Sequence, residues 1–191
     1  MLLRMMMAGG SGGLPPLANV DDFSTNTIAS YTQTQDSGSP TWTVSGGKMN
    51  TSGAFGTQAI LRRNSFSQAD ASVEVDCSAA DDGGVVLRFQ DQSNFYLMAL
   101  ADDLSGIGSG NNIRVFKRVG GTFTQLGSTV NVLWTRGTVK TFRFAMSGTT
   151  LTGYMDGALQ FTITDSSIAA AGAVGMRAAD SGVAYDAFRW G

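Results

Sequence analysis

The chain alternates apolar and polar residues over short runs, broken about every eight to twelve residues by Gly, Ser, Thr, Asn and Asp. No window of about eleven residues sustains the 3.6-residue period of a helix. The pattern predicts strands at residues 41–44, 48–50, 54–61, 69–77, 113–119, 122–126, 140–146, 151–155, 159–164, 173–178 and 183–190, with a hairpin at 83–101. Ser45-Gly46-Gly47, Gly120-Gly121 and Asp156-Gly157 supply turn chemistry between them. Roughly a dozen short strands joined mostly by hairpins imply two packed antiparallel sheets, an all-β sandwich.

The hairpin at 83–101 carries the most detailed expectation. Val85, Leu87 and Phe89 alternate with Val86, Arg88 and Gln90, and Phe95, Leu97 and Ala99 with Tyr96, Met98 and Leu100. A one-residue slip would turn every side chain over. A three-residue loop at Asp91, Gln92 and Ser93 keeps the first sets on one core face, with Phe89 opposite Phe95, Leu87 opposite Leu97 and Val85 opposite Ala99. A two-residue loop would oppose Phe89 with Tyr96 and bring Phe95 and Leu97 beside Arg88, so the odd loop is expected. Arg88, Gln90, Asn94 and Tyr96 then share the other face with Val86 and Met98. Tyr offers a flat surface for sugar C–H groups, while Arg, Gln and Asn offer donors and acceptors for paired hydroxyls. Arg143, Tyr154 and Arg177 join this candidate glycan face if their strands neighbour the hairpin. The alternative is an ordinary polar sheet face.

With 191 residues, 42% of them hydrophobic and 15% charged, the chain suffices for one domain with a sizeable core. A net charge of −2 and the lack of any Lys/Arg run argue against nucleic acid and give no support to membrane-surface binding. The chain contains no histidine, which removes imidazole bases and ligands from consideration. The one cysteine, Cys77, alternates with Val73 and Val75 and reads as a small buried hydrophobe. Trp42, Trp134 and Trp190 read as core or rim. Glu74 and Asp76, two apart on a strand, point to one face, as acid/base cleavage of a glycosidic bond requires. The competing reading makes them solvated positions of a strand whose Val73, Val75 and Cys77 face inward.

At the N-terminus Met1, Leu2, Leu3, Met5, Met6 and Met7 form an apolar arm, followed by a Gly/Ser tether over 8–16 that ends in Pro15 and Pro16. The arm is too short to cross a bilayer or to form a secretory core. It reads either as a segment that docks on another subunit or as a disordered start. The expected division is arm and tether at 1–19 and sandwich at 20–191.

Asp22-Phe23, the run Gly84-Val85-Val86-Leu87-Arg88-Phe89-Gln90-Asp91 with Asn94-Phe95-Tyr96-Leu97, Gly175-Met176-Arg177, and Tyr185-Asp186-Ala187-Phe188-Arg189 resemble the concanavalin A-like jelly-roll superfamily, nearest its laminin-G-like sugar-binding modules. The resemblance covers nearly all of residues 20–191. It implies a jelly roll with neighbouring first and last strands and a concave sheet that often carries the ligand. Glycoside hydrolases of the superfamily carry Glu-x-Asp-x-x-Glu or Glu-x-Asp-x-Glu; here Glu74-Val75-Asp76 is followed by Cys77-Ser78-Ala79-Ala80, so the second glutamate is missing. No cofactor is expected, although the superfamily sometimes holds a structural calcium where Asp22 and Asp186 would lie.

A Met-rich start, a Gly tether and a jelly roll also resemble small tail or head-decoration proteins of bacteriophages. The reading is a non-enzymatic virion structural or adhesion protein, held by residues 1–16 to other particle subunits, homo-oligomeric in the assembly, and decorating the surface or binding glycans. The alternatives are a carbohydrate-active enzyme and a secreted, extracellular carbohydrate-binding module.

Overall fold

β-Branched and aromatic residues at alternate positions, with Gly, Asn and Asp where the chain must reverse, generate short strands throughout. The computed structural model describes residues 14–55, 58–106 and 110–191; the apolar arm Met1–Met7 lies outside the described residues. In order the strands are β1 (Asn19–Asp21), β2 (Tyr31–Gln35), β3 (Gly38–Ser45), β4 (Lys48–Phe55), β5 (Ala59–Arg63), β6 (Ala71–Ala79), β7 (Gly83–Asp91), β8 (Asn94–Ala101), β9 (Asn112–Val119), β10 (Thr122–Asn131), β11 (Lys140–Ser147), β12 (Thr150–Met155), β13 (Ala158–Thr164), β14 (Ala173–Ala178) and β15 (Ala184–Trp190). The described residues form no α-helix, only one 3₁₀ turn at Ile28–Ser30.

The strands build two antiparallel sheets. One runs β13-β12-β11-β6-β15-β4-β3, with β1 added to β15, and the other β10-β9-β8-β7-β14-β5-β2. The first and last strands pair, Asp21 opposite Phe188, as the resemblance implies. Between the sheets lie Val73, Val75, Cys77, Val85, Leu87, Phe142, Phe144, Tyr185 and Phe188, all fully buried. Each large apolar side chain removed from water there contributes about 1.5–3 kcal/mol. Tyr185 bolts the layers together: its hydroxyl accepts from Gly84 N–H at 2.7 Å and faces the carbonyls of Gly84 and Arg177 at 2.8 and 2.6 Å, toward which its one proton is donated. Cys77 is buried and unbonded to another cysteine, and burial pushes its thiol pKa up. Trp42, Trp134 and Trp190 are all buried.

Three strand expectations need correction. The run read as one strand at 54–61 is two, because β4 ends at Phe55 in one sheet and β5 begins at Ala59 in the other. Strand β2 was hidden by its sequence, Tyr-Thr-Gln-Thr-Gln, in which only Tyr31 is buried. In the central hairpin the turn has two residues, Gln92 and Ser93, since Asp91 pairs with Asn94. Leu87 therefore lies opposite Tyr96, Val86 opposite Leu97 and Val85 opposite Met98, one residue from the expected register. The difference is taken up by a bulge between Leu87 and Asp91, where three residues of β7 stand against Phe95 alone and Arg88 adopts φ +46°. Phe89 does meet Phe95, with ring centroids 5.7 Å apart, but on the outer face of the sheet rather than in the core.

Candidate functional site

Antiparallel partners point to the same side of a sheet, so the register defines the outer face of the seven-stranded sheet. Val86, Leu97 and Phe116 share it, as do Arg177 and Ile60, Arg62 and Thr32, and Phe95, Arg118 and Phe123. A second apolar cluster grows there from Ile60, Val86, Phe89, Phe95, Leu97, Ala99 and Ala173, with Phe116 and Phe123 packed on it. Strand β8 is thus apolar on both sides because both of its faces are covered.

Guanidiniums frame this face. Arg114 lies 5.6 Å from the centroid of Phe116, and Arg118 lies 4.8 Å from that of Phe123. Arg114 and Arg177 share the carboxylate of Asp82, at 3.5 and 2.7 Å. Arg118 donates to both oxygens of Asp36, at 3.0 and 2.8 Å. Asp36 directly follows β2, and β2 stands five places from β9 in the sheet, a flat separation of about 24 Å at normal strand spacing. The ion pair therefore requires that the sheet curl and the 35–38 connection reach over its outer face. Gln92 clamps the same connection by donating to the carbonyl of Gln35.

Beside this strap opens a groove of about 810 Å³, within the usual size of small-molecule sites. Its polar lining comes from Thr34 of β2, Arg62 of β5, Ser67, and Gln90, Asp91, Gln92 and Ser93 at the tip of the central hairpin. Phe66 and Phe89 add aromatic surface, and residues 171–173 close one wall. Asp91 has its carboxylate engaged by Ser93 N–H at 2.7 Å and by the Asn94 amide at 3.0 and 3.1 Å. Gln90 is exposed, with one weak contact to the Ala170 carbonyl at 3.4 Å.

The four residues expected to form one glycan face are divided. Gln90 reaches the groove and Asn94 stays half-buried at its turn, but Arg88 and Tyr96 are buried. The cause is the bulge and the two-residue turn, which send both inward. Arg88 donates to the carbonyls of Ala69, Ile168 and Gly148 at 2.6, 2.6 and 2.7 Å, with Asp70 at 3.5 Å. Tyr96 donates to the carboxylate of Asp165 at 2.7 Å and accepts from Ile168 N–H at 3.1 Å. Burial, reinforced by the Asp165 hydrogen bond, raises its pKa to about 12. Of the three residues expected to join, Arg177 lies on β14 beside β7, whereas Arg143 and Tyr154 belong to the other sheet. Arg62, Ser67 and Gln92 were missed; their signal, polar residues next to turn clusters, is shared with any loop.

Asp165 ties the start of the stretch between β13 and β14 to β8 and β9, through Tyr96 and Lys117. Burial alone would raise its pKa, but hydrogen bonds from Lys117, Tyr96 and Ser167 outweigh that and lower it to about 2. A carboxyl depressed in the folded state adds stability that is fully present above its unfolded value, about 3.9, and is lost as pH falls through the folded value. Acid unfolding of the wild type should therefore steepen between about pH 4 and 2. Asp165→Asn should flatten that part of a stability-versus-pH curve, and an unchanged slope would refute the assignment.

Glu74 and Asp76 sit on the outer face of the opposite, eight-stranded sheet. They point outward as expected, yet they are paired rather than solvated. Arg143 donates to Glu74 at 2.7 Å, and Arg189 reaches Glu74 at 3.1 Å and Asp76 at 2.6 Å. Thr141 adds a bond to Asp76 at 2.7 Å. For Asp76 burial opposes ionisation, but the Arg189 and Thr141 bonds prevail and keep its pKa below the ordinary value. Arg143 also grips the carbonyl of Pro15 at 2.7 Å, so the tether packs across this face. Asp22 caps Ser24 N–H at 3.0 Å and Asp186 pairs with Lys48 at 2.7 Å. Among the described residues no three acidic or thiol groups converge as metal ligands.

No family model matches the chain, and no curated protein matches it. Solved structures do. The carbohydrate-binding module CBM66 of Bacillus subtilis superposes with a TM-score of 0.63 at 19% identity, over 82% of this chain and 91% of that one. A xylan β-1,4-xylosidase from Bacillus halodurans gives 0.63 at 13% identity, matching 95% of this chain but 40% of its own length. A glycoside hydrolase family 16 endo-glucanase from Bacteroides ovatus gives 0.62 at 11% identity, over 90% of this chain and 99% of that one. What is shared at such identities is the fold. The chain shares the fold of these structures, an all-β jelly-roll sandwich of two antiparallel sheets.

Proposed function

We propose that this domain is a non-catalytic glycan-binding jelly roll whose ligand lies in the groove between β2, β5 and the tip of the β7–β8 hairpin. The observation that carries the reading is the groove's lining: side-chain amides, hydroxyls and a guanidinium beside Phe66, the mixture that recognises hydroxyl pairs and sugar C–H faces. Glycoside hydrolysis needs two carboxyl groups about 5–9.5 Å apart. The described lining of the groove supplies one, Asp91, already bonded to Ser93 and Asn94. The Glu74–Asp76 pair lies on the other sheet, neutralised by arginines. Similarity in fold to CBM66, a carbohydrate-binding module, supports this reading.

Placement in an assembly belongs to the same proposal. Leu14 and Pro16 line a hollow on the eight-stranded sheet, so the chain joins the domain on the face away from the groove. Attachment through residues 1–16 to a larger particle, a virion in this reading, would leave the groove facing outward.

A glycan array tests the first part, and incorporation into the particle tests the second. The full chain should retain defined glycans, and Ser67→Trp, which fills the groove from an exposed position, should abolish retention. Deleting residues 1–13 should release the domain from its particle with glycan retention intact. Retention unaffected by Ser67→Trp, or release of reducing ends from a retained glycan by the wild type, would contradict the proposal.

A further inference from the structure

Among the described residues, Lys48, Arg88, Arg114, Lys117, Arg118, Arg136, Lys140, Arg143, Arg177 and Arg189 each pair with a carboxylate. Arg63 donates to the Ser30 carbonyl at 3.2 Å and lies over the rings of Tyr31 and Trp190, at 5.2 and 4.6 Å. Arg62 is the exception. It is half-buried and lines the groove, yet it has no hydrogen bond, ion pair or ring partner among the described residues. We infer that Arg62 is an oxyanion subsite of the groove and takes a carboxylate or sulfate ester carried on the glycan.

The inference rests on the glycan-binding reading and deepens it. A guanidinium presents five N–H donors in a planar fork suited to two oxygens of one anion. Half-burial removes part of their water, and an arriving oxyanion replaces it with charge-assisted bonds. The sheet leaves the fork open. Arg62 is flanked in register by Thr32 and by Gly175, which has no side chain to cover it. The hydroxyl of Thr32 is turned to Asn64 at 2.7 Å. Asp91, the one acid in the described lining, is committed to Ser93 and Asn94. Elsewhere on the face, Arg114 and Arg177 both pair with Asp82, and Arg118 pairs with Asp36. The chain as a whole carries −2, so a polyanion drawn to it reports a local site and not a general basic surface.

The test is calorimetric titration of the full chain with polygalacturonate, dextran sulfate and neutral dextran at about 0.15 M salt, where long-range attraction is screened. At least one polyanion should bind about tenfold or more tighter than dextran, the scale of one charge-assisted contact. Polygalacturonate alone identifies a carboxylate, and dextran sulfate alone a sulfate ester. Arg62→Gln should remove the preference. Lys140→Gln, the same charge change beside Asp156 on the opposite sheet, should keep it. The subsite is overturned, with the glycan reading left standing, if a neutral glycan binds as well as either polyanion. It is also overturned if the preference survives Arg62→Gln or falls equally with Lys140→Gln. Failure of the wild type to retain any glycan, acidic or neutral, removes the groove reading and the subsite with it.

Discussion

Arg88→Met is expected to lower the unfolding free energy by about 3–5 kcal/mol, the cost of stripping a buried charge-assisted network. For a chain of this length that corresponds to a melting temperature lower by about 10 °C. Met preserves most of the buried volume, so the effect isolates the guanidinium. Arg88 is 3% exposed and ties together three segments distant in sequence, through Ala69 before β6, Gly148 in the β11–β12 turn and Ile168 in the stretch leading to β14. Its backbone sits at φ +46°, a conformation that costs a side-chain-bearing residue about 1–2 kcal/mol. Those hydrogen bonds are what hold it there. Urea unfolding of the purified domain is the measurement, and Arg88→Lys should recover a minor part of the loss because an ammonium cannot span all three carbonyls. A Met variant as stable as the wild type would show that the network does not hold the bulge.

Gly172→Ala should be nearly as damaging, at about 3 kcal/mol, the upper range for overpacking a filled site. A Cβ on Gly172 would stand 2.4 Å from the Arg88 carbonyl carbon and 2.7 Å from both Arg88 Cα and Phe89 N. All three are backbone atoms of the bulged strand and cannot rotate away. Gly172 is fixed from its other side by reciprocal hydrogen bonds with Gln68, both at 3.1 Å. It also lines the groove, so the same substitution should weaken glycan retention. Thermal unfolding followed by circular dichroism checks the first effect, and an unchanged midpoint would mean that residues 171–173 yield easily.

These two residues also mark how far the sequence could be read. The two-sheet sandwich was legible because Val73, Val75 and Cys77, or Phe142 and Phe144, alternate with polar neighbours on strands covered on one side. Strand β8 defeated the same logic. Phe95, Leu97 and Ala99 serve the outer cluster while Tyr96, Met98 and Leu100 serve the core, and alternation carries no information when both faces are apolar. The bulge was invisible because it falls on arginine, stabilised by carbonyls 19 or more residues away, and not on glycine or asparagine. Once the bulge shifts the register, Arg88 and Tyr96 leave the candidate face, and of its four residues Gln90 lines the groove, beside Arg62 and Gln92, which the sequence did not single out. Glu74 and Asp76 were read correctly as outward, but their arginine partners come from β11 and β15, which no local pattern connects.

Glycan binding by this domain requires that the ligand occupy the outer face of the seven-stranded sheet. The most direct measurement is amide and side-chain chemical-shift mapping of the full chain titrated with an oligosaccharide retained on the array. Perturbations centred on Arg62, Gln90, Gln92 and Ser93 are predicted. Perturbations centred instead on Glu74, Arg143 and Arg189, with those groove residues silent, would contradict it.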